Sequence, residues 1–179
     1  MFISHVLDST VKKVKAQTAN VLTLGNLALG GFSIVMTLNA QYNLGLLLIF
    51  VAALADRFDG MVARKMNIES ELGKQLDSMC DVISFGVAPA LLLYSTVLHQ
   101  FGFPGAFFTV FYIGCGAFRL ARFNITENNG YFQGLPITAA GCLLTLSYLG
   151  LSFLPVHSFM IITMTLALLM VSPFTLKKF

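Results

Sequence analysis

Long apolar runs separated by short polar connections dominate the hydrophobic pattern of this chain. About 20 apolar residues are needed for a helix to cross the hydrocarbon core of a bilayer. Six segments meet this requirement, at roughly residues 20–38, 44–66, 72–98, 104–124, 133–153 and 156–173. Glycine and proline interrupt the pattern at Gly102, Pro104 and Pro155, near the third and fifth connections. The pattern therefore predicts six transmembrane helices.

The N-terminal segment has a different pattern, in which apolar residues recur at helical spacing beside Lys12, Lys13 and Lys15. The apolar positions are Phe2, Ile3, Val6, Leu7, Val11 and Val14. This arrangement is typical of an amphipathic helix that lies on a membrane surface, and a frayed basic tail fits the same residues. No basic region followed by an apolar core and a cleavage site indicates a signal peptide. We predict an interfacial segment over residues 1–18.

Composition supports the same class of protein. Of 179 residues, 56% are hydrophobic and 11% are charged, and the mean hydropathy is +0.80. Soluble domains have about 25% charged residues, so this chain has too few for a water-facing surface. Cys80, Cys115 and Cys142 are scattered and are expected to be small buried apolar residues. We predict one all-α integral membrane domain over residues 1–179, with residues 20–173 forming a six-helix bundle.

Basic residues alternate between the two sides of the predicted bundle. All eleven lie in the N-terminal segment, around the second connection, around the fourth connection or at the C-terminus: Lys12, Lys13, Lys15, Arg57, Arg64, Lys65, Lys74, Arg119, Arg122, Lys177 and Lys178. The positive-inside rule then predicts a multi-pass protein of the cell membrane with both termini on the cytoplasmic side. The net charge of +3 favours anionic lipid surfaces and gives no reason to expect nucleic acid.

Four aspartates lie in the second and third predicted helices, around the second connection. Asp56 and Asp59 are three residues apart, and Asp77 and Asp81 are four apart. These spacings place each pair on one helix face. The short connection predicts antiparallel packing of the two helices, so both pairs can converge at one depth, near the cytoplasmic side.

Carboxylates that converge in a poorly hydrated site repel each other, and protonation or a cation must neutralise them. Divalent ions with oxygen ligands, Mg²⁺ or Mn²⁺, suit such a site, and two ions would balance four carboxylates. The alternative is a structural role, in which the aspartates cap helices or pair with Arg57, Arg64 and Lys74. Two matched pairs favour a functional site.

Small residues accompany the aspartates. Gly60 and Ala63 follow Asp59 at helical spacing and would leave a groove for a flat ligand, beside which Arg64 suits a phosphate or a nucleobase edge. Gly73 lies four residues before Asp77, where a small residue also permits close helix packing.

Together these residues form the pattern Asp56-x-x-Asp59-Gly60-x-x-Ala63-Arg64, then eight residues, then Gly73-x-x-x-Asp77-x-x-x-Asp81. The pattern resembles the signature of the CDP-alcohol phosphotransferase family at every fixed position. The resemblance implies a six-helix membrane enzyme that transfers a phosphoryl-alcohol group from a CDP-linked donor to an acceptor hydroxyl and releases CMP.

The resemblance also implies residue roles. All four aspartates would bind divalent metal, with Asp81 completing the second ion's site and acting as the base for the acceptor hydroxyl. The cytidine nucleotide would contact a set of residues around the same helix ends: Asp59, Gly60, Ala63, Arg64 and Gly73. In the first helix, Asn20, Thr23 and Asn26 are candidates for the nucleotide pocket, although such residues also bond neighbouring membrane helices.

A second motif, GAFRLARFNITE at residues 116–127, carries the acceptor hypothesis. Arg119, Arg122 and Asn124, followed by YFQGLPITAAG, resemble the bacterial and archaeal phosphatidylserine synthase subfamily. This resemblance implies CDP-diacylglycerol and L-serine as substrates. Arg119 and Arg122 would hold either the serine carboxylate or the donor phosphates, and Asn124 would make a polar contact or cap the helix. Membrane anchoring is the alternative for the arginines.

Two other functions fit parts of the pattern. Phosphatidylglycerophosphate synthase, in the same family, has a phosphorylated acceptor that would also suit Arg119 and Arg122. A cation-coupled transporter would use the aspartates as an ion site, but they lie away from the predicted midplane and no inverted repeat is visible. The family resemblance also implies a homodimer.

Overall fold

The computed structural model describes residues 21–66, 71–125, 131–173 and 175–177, with the backbone alone at Asp59 and at residues 62–66, 131–133 and 175–177. The described helices are α1 (Val21–Leu38), α2 (Tyr42–Met66), α3 (Glu71–Asp81), α4 (Ala88–Thr96), α5 (Phe103–Ile125), α6 (Ile137–Ser147) and α7 (Val156–Val171). A π-helix (Val82–Val87) joins α3 to α4, and 3₁₀ turns (Leu98–Phe101 and Tyr148–Ser152) follow α4 and α6.

The helices lie close to the positions that the apolar pattern predicts, and the helical membrane-type fold is confirmed. Among the described residues, three stretches are long and apolar enough to cross a membrane: Val21–Leu38, Glu71–Thr96 and Phe103–Ile125. Ile137–Ser152 and Val156–Val171 are shorter apolar helices. The number of crossings therefore stays a prediction. The predicted interfacial segment, residues 1–18, and Asn20 lie outside the described residues.

The helical fold class agrees with the prediction, and the fifth helix differs from it at its start. Residues 131–133 form a short strand, β1 (Tyr131–Gln133), which pairs antiparallel with β2 (Thr175–Lys177). The helix begins only at Ile137 because Pro136 has an extended backbone and restricts the residue before it. Gly134 has a φ of 73° and lies against the Met170 carbonyl, where a Cβ would collide.

An apolar core lies among α2, the π-helix and α4 to α7. Its largest fully buried side chains include Tyr112, Phe85, Phe159, Ile49, Leu92 and Leu144. Glycine permits a close helix contact in this core: a Cβ on Gly141 would lie 2.6 Å from the Phe85 carbonyl oxygen. Large apolar side chains elsewhere face outward, for example Phe103 and Phe153, as expected for helices in contact with lipid.

Helix α1 turns its polar and small residues inward. Its buried positions are Thr23, Asn26, Gly30, Ser33 and Thr37, at alternating spacings of three and four. Apolar residues cover its outward face, including Val21, Phe32 and Leu38. In a membrane, close packing and hydrogen bonds associate helices without a hydrophobic driving force. The Ser33 hydroxyl accordingly donates to the Gly45 carbonyl of α2 at 2.8 Å.

The π-helix begins directly after Asp81. Its widened turn is seen where the Ala88 N–H donates to the carbonyl of Ile83, five residues earlier. Pro89 has no N–H to donate to the turn before it, and the buried Tyr112 hydroxyl of α5 donates to the Phe85 carbonyl at 3.3 Å. Wide turns of this kind are rare and often lie at functional sites.

Candidate active site

Three of the four aspartates converge. Asp56 comes from the C-terminal half of α2, Asp77 comes from α3, and Asp81 is the last residue of α3. One carboxylate oxygen from each lies within 4.8 Å of the other two. Asp81 is buried, while Asp56 and Asp77 are half-buried. The convergence that the spacing predicts is therefore confirmed for these three aspartates.

The chemistry of this cluster fits a divalent cation. Carboxylate oxygens are hard ligands, and three of them converge here from two helices. The carboxyl groups of Asp56 and Asp81 are within hydrogen-bonding reach of each other. Oδ1 of Asp81 is buried and has no hydrogen-bond partner among the described residues. Mutual repulsion in a poorly hydrated site makes a cation the expected partner.

Arg119 brings positive charge to the cluster from α5. It is buried, with 8% of its surface exposed, and it interacts electrostatically with Asp81. Its guanidinium carbon lies 5.6 Å from the centre of the Phe123 ring, within cation–π range. Within the described part of the chain, its Nε is buried without a hydrogen-bond partner. A buried arginine with a free donor is suited to hold an anionic group.

Arg122 has different surroundings from Arg119. Its Nη1 donates to the carbonyl of Val171, the last residue of α7, at 3.4 Å. A cation at this position compensates the unpaired carbonyls at the helix C-terminus. The two arginines of the second motif therefore differ in the structure: one lies beside Asp81 and the other binds the end of α7.

Asn124 connects α5 to α3. Its Nδ2 donates to the Ser78 hydroxyl at 2.9 Å, and Lys74 Nζ donates to its backbone carbonyl at 3.5 Å. The sequence predicts either a polar contact or a helix cap for Asn124, and the structure shows the polar contact. Ser78 lies between Asp77 and Asp81, so this contact holds the acidic helix against the arginine-bearing helix.

Helix α1 reaches the same region through Asn26. The Ser84 hydroxyl, one turn after Asp81, donates to the Asn26 backbone carbonyl at 3.2 Å. Gly30 permits this approach, because a Cβ there would lie 2.8 Å from Ser84 Cα. Asn26 is fully buried, and Thr23 is buried one turn before it. Both residues were nucleotide-pocket candidates, a role that stays a prediction.

For the remaining predicted site residues, the structure gives a position on a helix. Gly60 and Gly73 are half-buried on α2 and α3. Ala63 and Arg64 lie on α2 with their side chains outside the described part, as does the Asp59 side chain. Their predicted contacts with nucleotide and metal stay predictions.

Sequence reasoning missed two serines that the structure places at this site. Ser78 binds Asn124, and Ser84 binds the backbone of α1. Ser78 lies three residues before Asp81, and Ser84 lies three residues after it. A polar residue at helical spacing from a functional carboxylate was the available signal.

The sequence profile described as CDP-alcohol phosphatidyltransferase matches residues 16–175, most of the chain. The chain belongs to this family. The resemblance based on the aspartate signature is therefore confirmed. Members of the CDP-alcohol phosphatidyltransferase family use divalent metals, and the three converging carboxylates fit such an ion.

Individual relatives in the family have closely similar names. A protein of Bacillus subtilis named CDP-diacylglycerol–serine O-phosphatidyltransferase is 41% identical over 130 residues, which cover 72% of this chain and 73% of that protein. A protein of the same name from Helicobacter pylori is 39% identical over 133 residues, covering 73% of this chain and 56% of that protein.

An archaetidylserine synthase of Methanothermobacter thermautotrophicus is 38% identical over 134 residues, covering 73% of this chain and 57% of that protein. The chain thus matches just over half the length of this relative and of the Helicobacter protein.

Proposed function

We propose that this protein is a membrane phosphatidyltransferase that makes phosphatidylserine and CMP from CDP-diacylglycerol and L-serine. The observation that carries the proposal is the convergence of Asp56, Asp77 and Asp81 within 4.8 Å beside the buried Arg119. This arrangement provides a cation site and a separate positive charge at one point. The relatives named for serine transfer support the choice of acceptor.

The reaction proposed here is one substitution at phosphorus. The serine hydroxyl oxygen forms a bond to the phosphorus that carries diacylglycerol, and the bond from that phosphorus to the bridging oxygen breaks. CMP leaves with the bridging oxygen. Asp81 accepts the proton of the serine hydroxyl. It is the most buried carboxylate of the cluster, and it interacts both with the other two aspartates and with Arg119.

Asp56, Asp59, Asp77 and Asp81 would hold one or two divalent ions. A bound Mg²⁺ or Mn²⁺ would offset the negative charge of the donor diphosphate. The protein's part is then to position the two substrates and exclude water. Gly60, Ala63, Arg64 and Gly73 on the same two helices are proposed to contact the cytidine nucleotide, together with Asn20, Thr23 and Asp59.

The finer features of architecture are also proposals. We propose that the bundle crosses the membrane six times, with both termini and the acidic site on the cytoplasmic side, and that the protein is a homodimer of single-domain chains. The distribution of lysine and arginine supports the orientation. The cell membrane is the proposed location of the whole protein.

One experiment tests the acceptor directly. Purified protein in detergent, with Mg²⁺ or Mn²⁺ and CDP-diacylglycerol, is incubated with L-serine, glycerol 3-phosphate or inositol phosphate, and the lipid product is identified. We expect phosphatidylserine and an equal amount of CMP with L-serine alone. A phosphatidylglycerophosphate product would support the alternative synthase, since its anionic acceptor also suits Arg119. Absence of CMP release with every acceptor, together with ion flux after reconstitution of the protein into lipid vesicles, would point instead to transport.

A further inference from the structure

Unpaired buried polar atoms concentrate around Asp81. In the described ranges, five side-chain nitrogen or oxygen atoms are buried without a hydrogen-bond partner. Four of the five belong to Asn26, Asp81 and Arg119: both amide atoms of Asn26, Oδ1 of Asp81 and Nε of Arg119. Buried polar groups in proteins are almost always paired, so a group left unpaired needs an explanation such as a ligand.

These three residues come from three helices, which are linked by contacts at Asp81 and at Ser84. Ser84 lies one helical turn after Asp81 and donates to the backbone carbonyl of Asn26 at 3.2 Å. Arg119 on α5 interacts electrostatically with Asp81. Helix α1 therefore contacts the turn that follows Asp81 through the backbone of Asn26, and α5 reaches Asp81 through Arg119.

The unpaired atoms offer a complementary set of hydrogen-bonding groups. Arg119 offers a charged donor, Asp81 offers a charged acceptor, and Asn26 offers an amide with both an acceptor oxygen and donor hydrogens. A zwitterionic amino alcohol has a carboxylate that needs donors, an ammonium that needs acceptors and a hydroxyl that gives up its proton. Each group of such an acceptor thus finds a partner of the right kind.

We propose that Asn26 recognises the acceptor, its amide oxygen accepting a hydrogen bond from the ammonium group while Arg119 binds the carboxylate and Asp81 the hydroxyl. This inference rests on the proposed function and specifies how that site selects an amino-acid alcohol. It gives Asn26 a different role from the nucleotide contact expected from its sequence position. Both amide atoms of Asn26 are unpaired in the described ranges, so its oxygen is available to a ligand whichever way the amide is assigned.

The test compares acceptors that each lack one group. CMP release from CDP-diacylglycerol is measured for the full-length protein in detergent with L-serine, with 3-hydroxypropionate, which lacks the ammonium, and with ethanolamine, which lacks the carboxylate. For the unmodified protein we expect kcat/KM to be at least about 10-fold higher for L-serine than for either analogue. Equal use of L-serine and 3-hydroxypropionate would overturn the proposal without any variant.

Substitution of Asn26 then identifies the residue responsible. Asn26→Leu keeps the side-chain size and removes the polar atoms, so KM for L-serine should rise about 10- to 100-fold, as expected for loss of a hydrogen bond to a charged group. The preference for L-serine over 3-hydroxypropionate should fall toward one, and KM for CDP-diacylglycerol should stay within about twofold. A purely structural role of Asn26 would not change the preference between these two acceptors.

Thr37→Val is the matched control. Thr37 also has a buried oxygen without a described partner, on the same inward stripe of α1 and about 16 Å further along the helix. Its substitution should leave both the KM for L-serine and the acceptor preference unchanged. If Asn26→Leu instead keeps the preference and raises KM for CDP-diacylglycerol, Asn26 contacts the nucleotide and the proposal is wrong.

The results distinguish failure of the proposed function from failure of the Asn26 proposal. CMP release with glycerol 3-phosphate and none with L-serine would disprove serine transfer, and the Asn26 proposal would fall with it. Serine transfer with no change in preference on substitution of Asn26 would leave the function standing and overturn the Asn26 proposal alone.

Discussion

At the scale of single residues, Asp81 has two sets of neighbours with opposite charge. Asp56 and Asp77 lie on one side of it, and Arg119 interacts with it from α5. A carboxylate in this position can be shared between a metal site and a substrate hydroxyl. Asp77 lies one turn earlier and is less buried, so the two residues should respond differently to substitution.

Replacing Asp81 with asparagine should abolish turnover while leaving the nucleotide bound. The amide cannot accept the proton of the acceptor hydroxyl, so kcat should fall by about 100-fold or more. CMP release and binding of a cytidine nucleotide are measured on the same preparation. Thr96→Val, a polar-to-apolar change at the far end of the same continuous helix, should keep activity. Turnover of Asp81→Asn at the rate of the unmodified protein would exclude the base role.

Replacing Asp77 with asparagine should instead change the metal requirement. One ligand of the proposed ion loses its charge, so the Mg²⁺ or Mn²⁺ concentration for half-maximal activity should rise about 10-fold or more. The activity is titrated with each metal. Glu71→Gln removes an exposed carboxylate from the same helix and should leave the titration unchanged. Equal metal curves for Asp77→Asn and the unmodified protein would contradict a ligand role.

The sequence was sufficient to predict which carboxylates converge, and insufficient to separate the two arginines. Spacings of three and four on adjoining antiparallel helices place Asp56, Asp77 and Asp81 together whatever the remaining packing. Arg119 and Arg122 are also three apart, so their spacing places them on one face. Only the packing of α7 against α5 shows that Arg122 reaches the Val171 carbonyl.

At the scale of helices, the contact between α1 and the π-helix depends on the absence of a side chain at Gly30. A Cβ there would lie 2.8 Å from Ser84 Cα, whereas a Cβ on the neighbouring Gly31 would meet nothing within 4 Å. The two adjacent glycines therefore form a matched pair for substitution.

Gly30→Ala should lower stability, and Gly31→Ala should not. Overpacking at a tight contact costs about 1–3 kcal/mol, while alanine in open space on a helix is neutral or slightly stabilising. Thermal unfolding in detergent and CMP release are measured for both variants. Because Gly30 holds α1 beside Asp81, its variant should also lose activity. Equal unfolding temperatures for the two variants would show that α1 is not packed as described.

The helix positions were predictable, and the change of helix type after Asp81 was not. An apolar run of about 20 residues indicates a membrane helix by length alone, and this criterion located α1, α5 and α7 to within a few residues. The π-helix lies within a run that is apolar on most sides, so one extra residue per turn leaves no trace in the hydrophobic pattern. The β1–β2 pairing joins residues more than 40 positions apart, which no local pattern can indicate.

At the scale of the whole molecule, the distribution of charge gives a testable orientation. The connections around Asn39, Gln100 and Leu154 contain no lysine or arginine. Those near Glu71 and Ile125 are flanked by basic residues. All five positions are exposed, so each can report the side of the membrane on which it lies.

Single cysteines at these five positions should label in two groups. In a background with Cys80, Cys115 and Cys142 replaced by alanine, an impermeant thiol reagent should label cysteine at 39, 100 and 154 in intact cells. Cysteine at 71 and 125 should label only after permeabilisation, because the positive-inside rule places it in the cytoplasm. Labelling of any position in the opposite group would change the number of crossings.

The inward polar stripe of α1 also has a consequence for how the protein is made. Helix α1 leaves the ribosome before α2 to α7 and is long and apolar enough to cross a bilayer, yet its partner Ser84 is synthesised more than 40 residues later. During this interval Asn26 and its polar neighbours must be shielded by lipid headgroups, water or the insertion machinery. Biogenesis of this enzyme therefore includes a stage in which α1 still lacks its partner, and the contact between Asn26 and Ser84 forms only when α1 docks.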